Sequence, residues 1–397
     1  MSESAGTNSN SPRPPDGRQR TPHVVIRTLT SPEPASCHAG GNRTGSYCFV
    51  FLLTILVVCR TRTRTGSWAH REEIGLAYSV ASFFSGIGGL DLGLERAGFT
   101  LSFHCEVKPF CREILARHWP DMPVSRDIRK LDETDIPQTD VWAAGFPCQD
   151  LSLARMGPRS GLRGSQSGLF HEFMRLVRGR LPRAILLENV HGLLSSHGGR
   201  DFAVILKALD ELGYGVGWRV LNSKDFGVPQ QRRRVYIVAM HHDGCSPGKV
   251  LFEPECGNRH PQKGRSNGPK PPSLFQEIIG DPQRGPLVKR IAHCIYAESA
   301  RHTGTDWSRN YVWYPDGRVR RFTPNEVERV QGFPENWTLP RHFDEHRADR
   351  LDSLRYHAVG NAVTPPVAEW VGQHLASVMQ AQDLERLRKA GTAVAAE

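Results

Sequence analysis

The chain has 397 residues, with 51 Lys+Arg against 41 Asp+Glu for a formal charge of +10, and 39% of it is hydrophobic. That apolar fraction fills the core of one large or two modest domains and excludes a wholly disordered, collagen-like or coiled-coil chain. Nine cysteines without a single Cys-x-x-Cys pair speak against a disulfide framework or a zinc ribbon and for a reduced, cytoplasmic setting.

In chain order, residues 1–46 are dominated by Ser, Pro, Gly, Thr, Asn and Arg, a composition that predicts disorder. An uninterrupted apolar run follows, Cys48 to Cys59, flanked by Arg60, Arg62 and Arg64. It is too short for the roughly 20 residues that cross a bilayer and too far from Met1 for a signal peptide. Two readings stand for it: an element packed on the main body, or a stretch lying upstream of the native start. The second is preferred, so that 1–75 is expected to be a disordered or non-native extension.

From Ala77 short apolar runs alternate with amphipathic stretches, the pattern of a parallel α/β sheet. Strands are predicted at 78–84, 101–106, 141–144, 184–187 and 235–239, and helices at 90–97, 106–117, 169–180 and 201–212. These make 76–240 one doubly wound domain. The periodicity dissolves over 241–319, which predicts a smaller irregular domain. It returns over 320–380, with helices at 324–332 and 366–379, and a tail completes the chain over 381–397.

Gly86-Ile87-Gly88-Gly89 sits between a strand and a helix, where glycines let a ligand approach the backbone. A dinucleotide fingerprint would need a third glycine where Asp91 stands. Glu106, at the end of the second strand, is placed to grip ribose hydroxyls, and Asp127 to reach a base edge. The three together suit a nucleoside-bearing cofactor without a pyrophosphate, S-adenosylmethionine rather than NAD.

Phe146-Pro147-Cys148-Gln149 puts a thiol at the carboxyl edge of the sheet, just before a glycine-rich loop. A lone cysteine is more often a buried small hydrophobe, but this setting favours a nucleophile. Glu188 ends another apolar strand, where a carboxylate is costly unless paired or working; a solvated turn residue is the alternative. Gln230-Gln231-Arg232-Arg233-Arg234 offers guanidinium forks for a phosphate or a base carbonyl, or a solvated face. His104-Cys105 with Cys111 and His118 matches no common zinc module, so no metal is expected.

Taken in order, these segments resemble the motif series of the DNA (cytosine-5)-methyltransferases. Phe84–Gly89, Glu106, Asp127, Phe146–Gln149, Gly168–Phe170, Glu188–Val190 and Gln230–Arg234 are joined by Arg321–Pro324 with Gln331–Pro334, and by Gly360–Val363. The match runs from about 78 to 375.

The resemblance implies a Rossmann-like methyltransferase domain with a target-recognition domain at 241–319. It implies that Phe84, Gly86, Gly88, Glu106, Asp127, Pro147, Leu169, Asn361 and Val363 line the pocket of S-adenosylmethionine, the methyl donor. Cys148 would be the nucleophile, Glu188 the group that holds and protonates the cytosine, and Arg232 and Arg234 its partners at O2. The loop 150–168, with Arg155, Arg159 and Arg163, would be a lid over a flipped base. The implied partner is double-stranded DNA, met by a monomer without a membrane, with a companion restriction endonuclease left open. An RNA cytosine methyltransferase and a catalytically silent DNA-binding protein are the rival readings.

Overall fold

The computed structural model describes residues 77–147, 168–241, 247–252, 278–297, 310–341 and 348–394, together with the strands Val25–Ile26, Ile55–Arg62 and Trp68–Gly75. They fall into two compact units, Met1–Leu76 and Ala77–Glu397. In the first, Ile55–Arg62 runs antiparallel to Trp68–Gly75, with Ile55 opposite Gly75, and Val25–Ile26 pairs with its other edge. The end of the apolar run therefore lies in a hairpin, and Val25–Ile26 is a short strand inside the stretch expected to be disordered.

The second unit is built on a seven-stranded mixed sheet. Its strands are β1 (Ser79–Phe83), β2 (Thr100–Cys105), β3 (Val124–Ser125), β4 (Val141–Ala144), β5 (Ala184–Val190), β6 (Tyr214–Asn222) and β7 (Arg233–His241). They lie in the order β3-β2-β1-β4-β5-β7-β6. All neighbours from β3 to β5 are parallel. Every residue of β4 and nearly every residue of β5 is buried, as expected of central strands covered on both faces. The four main helices of this part are α1 (Gly89–Arg96), α2 (Pro109–His118), α3 (Leu169–Arg180) and α4 (Arg200–Asp210). Helix α3 buries Phe170, Phe173, Met174 and Val177, one helical stripe. Phe173 meets Phe83 edge-on at 5.2 Å.

The expected parallel sheet is corrected at its end, where β7 inserts between β5 and β6 and runs antiparallel to both. A reversed strand brings its first residues, rather than its last, to the edge where β1, β4 and β5 end. Arg234 therefore pairs with Val190, and Tyr236 with Glu188.

Three longer helices of the described residues follow in this unit, α5 (Pro324–Gln331), α6 (Ala348–Asn361) and α7 (Pro365–Val394). Helix α7 continues well past 380, where a separate tail is expected. Helix α5 starts on a capping box in which Thr323 and Glu326 exchange side-chain and backbone bonds, and it stops at Gly332 with φ +94°.

A buried ion pair joins α5 to α6. The Glu328 carboxylate is fully buried and accepts from Arg355 Nη2 at 2.9 Å and from the backbone N–H groups of Trp337 and Thr338 at 3.1 and 3.0 Å. Arg355→Leu strands that charge in the interior and is expected to cost about 3–5 kcal/mol. Chemical denaturation checks this, and a loss below about 1 kcal/mol would contradict the assignment.

Candidate functional site

Strand β1 ends in a turn that only glycine-rich sequence can make. Phe84, Gly86 and Gly88 all have positive φ, +54°, +57° and +82°, of which the glycines adopt theirs without strain. A Cβ added at Gly88 would lie 2.5 Å from the Trp119 ring, and one at Gly89 2.3 Å from the Val363 carbonyl oxygen. These two glycines are needed for packing. A Cβ at Gly86 would meet nothing nearer than the Phe84 carbonyl at 4.0 Å, so the turn is open on that side to an approaching ligand.

Glu106, buried one residue beyond β2, accepts from Gly86 N–H through Oε2 and from Lys108 N–H through Oε1, both at 2.8 Å. The carboxylate and the open glycine thus form one cradle. Sequence reasoning missed Val107 beside it, 57% exposed, an apolar face suited to a flat ring; its signal was an apolar residue directly after the strand's carboxylate.

Other expected pocket residues are placed less directly. Val363 is buried against the glycine turn, and Leu169 is half-buried at the start of α3. Asp127 is half-exposed and turned onto Arg129, which donates to Oδ1 from Nε at 2.9 Å and to Oδ2 from Nη2 at 2.8 Å. Those bonds hold its carboxyl below the ordinary value. Asn361 is exposed and donates from Nδ2 back to the His357 carbonyl at 2.9 Å.

The second cluster lies where β4, β5 and β7 meet. Pro147 is the last described residue of the β4 turn; Cys148 and the loop 150–167 lie outside the described residues. Asn189 steadies that turn by donating to the Phe146 carbonyl at 3.3 Å. Glu188 is only 8% exposed. Because side chains alternate along a strand, Glu188, Tyr236 and Arg234 share one face. Arg234 Nε stands 3.2 Å from Glu188 Oε1 as an ion pair, and Oε1 has no hydrogen-bond partner among the described residues. Burial pushes the Glu188 carboxyl above its ordinary value, against the pull of Arg234 and Arg232. Gly145 sits between this carboxylate and Val363: a Cβ there would be 3.7 Å from Glu188 Oε2 and 3.8 Å from Val363 Cγ2.

Arg232 departs from its expected place at the base. It is 2% exposed and gives Nη1 to the carbonyls of Ile295 and Gly360, at 3.0 and 3.2 Å, and Nη2 to that of Ala362 at 2.8 Å. Arg232 lies just before β7, and its guanidinium braces backbone. The motif identified the residue but not its direction.

The remaining groups from the sequence are accounted for by packing. His104 and Asp91, both fully buried, pair at 3.0 Å. His118 stacks on Trp337 at 3.5 Å and bonds its carbonyl through Nε2. Burial pushes the Cys105 and Cys111 thiols up to about 12, which leaves them inert as nucleophiles. No helix among the described residues is long and apolar enough to cross a membrane.

The profile of C-5 cytosine-specific DNA methylases matches residues 78–270 and 276–377. The chain is 33% identical over 323 residues to the type II methyltransferase M2.BsuMI of Bacillus subtilis (strain 168), covering 75% of each chain. It is 31% identical over 318 residues to M.NgoBI of Neisseria gonorrhoeae, covering 74% of this chain and 91% of that one. Among solved structures, the S. pombe Dnmt2 methyltransferase superposes with a TM-score of 0.54 at 18% identity, over 77% of this chain and 99% of that one. That likeness concerns the fold.

Proposed function

The chain belongs to the C-5 cytosine-specific DNA methylases, a family that takes its methyl group from S-adenosylmethionine, and on that premise we propose how its residues divide the work. The observation that carries the reading is the buried Glu188 carboxyl facing Arg234 beside the Pro147 turn. The substrate is cytosine in double-stranded DNA, flipped out of the stack at a cost of a few kcal/mol. The enzyme acts as a monomer in the cytoplasm.

The donor fits the open glycine turn. Glu106 would hold its ribose hydroxyls, the backbone at Gly86 would admit it, and Phe84, Val107, Leu169 and Val363 would enclose its apolar parts. When bound, S-adenosylmethionine supplies an electrophilic methyl group. Cytosine C5 is too weak a nucleophile to accept it unaided. The Cys148 thiolate therefore adds at C6, its lone pair forming the C6–Sγ bond, and the displaced C5=C6 π pair moves through the ring towards C5 and N3. Glu188, whose burial favours the protonated form, holds a proton at N3 as charge develops there, while Arg234 supports the O2 side. After methylation the C5 proton passes to solvent, its bonding pair re-forms C5=C6 as the C6–Sγ bond breaks, Cys148 leaves as thiolate, and the N3 proton returns to Glu188.

Bisulfite sequencing of DNA from cells expressing the protein tests the reading. Conversion-resistant cytosines confined to one short sequence are expected; unmodified DNA beside methylated transfer RNA would instead favour the RNA substrate. The residues over 241–319 are assigned to target recognition. Exchanging them with those of a relative of different specificity is expected to move the methylated sequence and leave the donor affinity of the DNA-free enzyme within about threefold, as the residues of the donor turn lie outside the exchanged segment. Retention of the old target by a folded exchange would overturn that assignment.

A further inference from the structure

Two glutamines quoted only as parts of motifs occupy a buried joint that the reaction does not use. Gln230, fully buried just before Arg232, donates from Nε2 to Gln331 Oε1 at 2.5 Å. Its own Oε1 accepts from Ile295 N–H at 2.9 Å. Gln331, fully buried at the end of α5, donates from Nε2 to the Ala362 carbonyl at 2.7 Å.

The two ends of this chain of bonds belong to different binding tasks. On one side Ile295 lies in the 241–319 segment, which joins here by pairing Ala292–His293 in parallel with Gln230–Gln231. The backbone at Tyr296–Ala297 also abuts Gly360, where a Cβ would meet Ala297 N at 2.3 Å. On the other side Ala362 directly precedes Val363, whose carbonyl packs on Gly89 of the donor turn and whose Cγ2 faces Gly145. A buried, fully bonded polar joint resists small displacements, because breaking any bond in it orphans a group away from water. A shift of the 292–297 segment is therefore passed to Val363 rather than absorbed.

We propose that Gln331 and Gln230 are positioning residues that couple the target-recognition segment to the donor pocket, so that bound target DNA tightens the hold on the donor and bound donor tightens the hold on target. The proposal rests on assigning 241–319 to target recognition. Neither glutamine touches the base or the donor; both act through Ile295 and Ala362. The coupling is reciprocal, as linkage requires.

The test is calorimetric titration of S-adenosylhomocysteine, the unreactive product, into the full-length enzyme with and without a saturating duplex carrying the target found by bisulfite sequencing. Target duplex is expected to tighten wild-type binding by about tenfold, within the usual range for coupled sites. Gln331→Met has similar volume and no polar end, and it leaves the Ala362 carbonyl bonded to Arg232. It is expected to keep the affinity of the free enzyme within about twofold and to cut the tightening to below about threefold. Gln230→Met is expected to do the same, and the double variant to lose no more than either single one, because both act through one joint. If one variant does not fold, the other carries the test. A wild type without coupling, or variants that weaken free and DNA-bound enzyme equally, overturns the proposal. Methylation of a defined sequence by the wild type would still stand, so the two failures are distinguishable.

Discussion

Cys148→Ser is expected to abolish covalent capture of target DNA that carries fluorine at C5 of the cytosine. If Cys148 adds at C6 and the C5 proton must leave to free the enzyme, fluorine blocks release, since it cannot depart as a cation. The wild type should then accumulate a complex that needs S-adenosylmethionine to form and survives a denaturing gel. A serine hydroxyl stays protonated at neutral pH, where a thiol ionises readily. The trapping rate should fall by at least about 10³-fold, the order of loss when a covalent nucleophile is removed. Trapping at the wild-type rate would show that the nucleophile lies elsewhere. Of the three described cysteines, Cys105 and Cys111 are poor alternatives, buried with raised pKa values, whereas Cys294 is half-buried with its Sγ 3.6 Å from Arg232 Nη1.

Glu188→Gln is expected to lower kcat by about 10²–10⁴-fold, the usual contribution of a general acid or base, with target-DNA affinity retained because the amide keeps the shape. The sign of the pH dependence follows from burial, which raises the Glu188 pKa. The protonated form is populated below the raised value and lost as pH climbs through it. Wild-type kcat should therefore fall on the alkaline side of that value, starting above the ordinary carboxylate range, and the fall should vanish in Glu188→Gln. Single-turnover rates across pH in both proteins check this. A variant with the same alkaline limb would assign it to another group.

Much of this architecture is readable from the residues alone, for a physical reason. The strand Val141–Ala144 and the helix Leu169–Arg180 fall where they are predicted, because a strand buried on both faces is an unbroken apolar run and a one-sided helix has a clean stripe. Strand β6 is not legible. It is an edge strand with Gly215 and Gly217 and mostly half-exposed residues, so neither period nor apolar run marks it. The reversal of β7 is equally hidden, since an apolar run carries no direction. Motif order located Glu106, Glu188 and Arg234 on the sheet edge. It could not reveal that Arg232 faces backbone carbonyls or that Asp127 turns to Arg129, because those choices depend on partners distant in sequence.

The contacts that close the donor turn have a bearing on how the molecule is made. Gly89 rests on the carbonyl of Val363, Ile87 accepts from Trp337 Nε1 across 250 positions, and the Tyr78 hydroxyl bonds Asp383 across 305. Contacts so far apart in sequence form late, after long loops have been closed against their entropy. A ribosome making this chain has finished the sheet's strands long before it reaches the residues that wall the pocket. An unfinished chain thus has its glycine turn but not the floor beneath it. Competence to hold a donor then waits until the stretch from Trp337 to Asp383 has been made and folded back onto the turn.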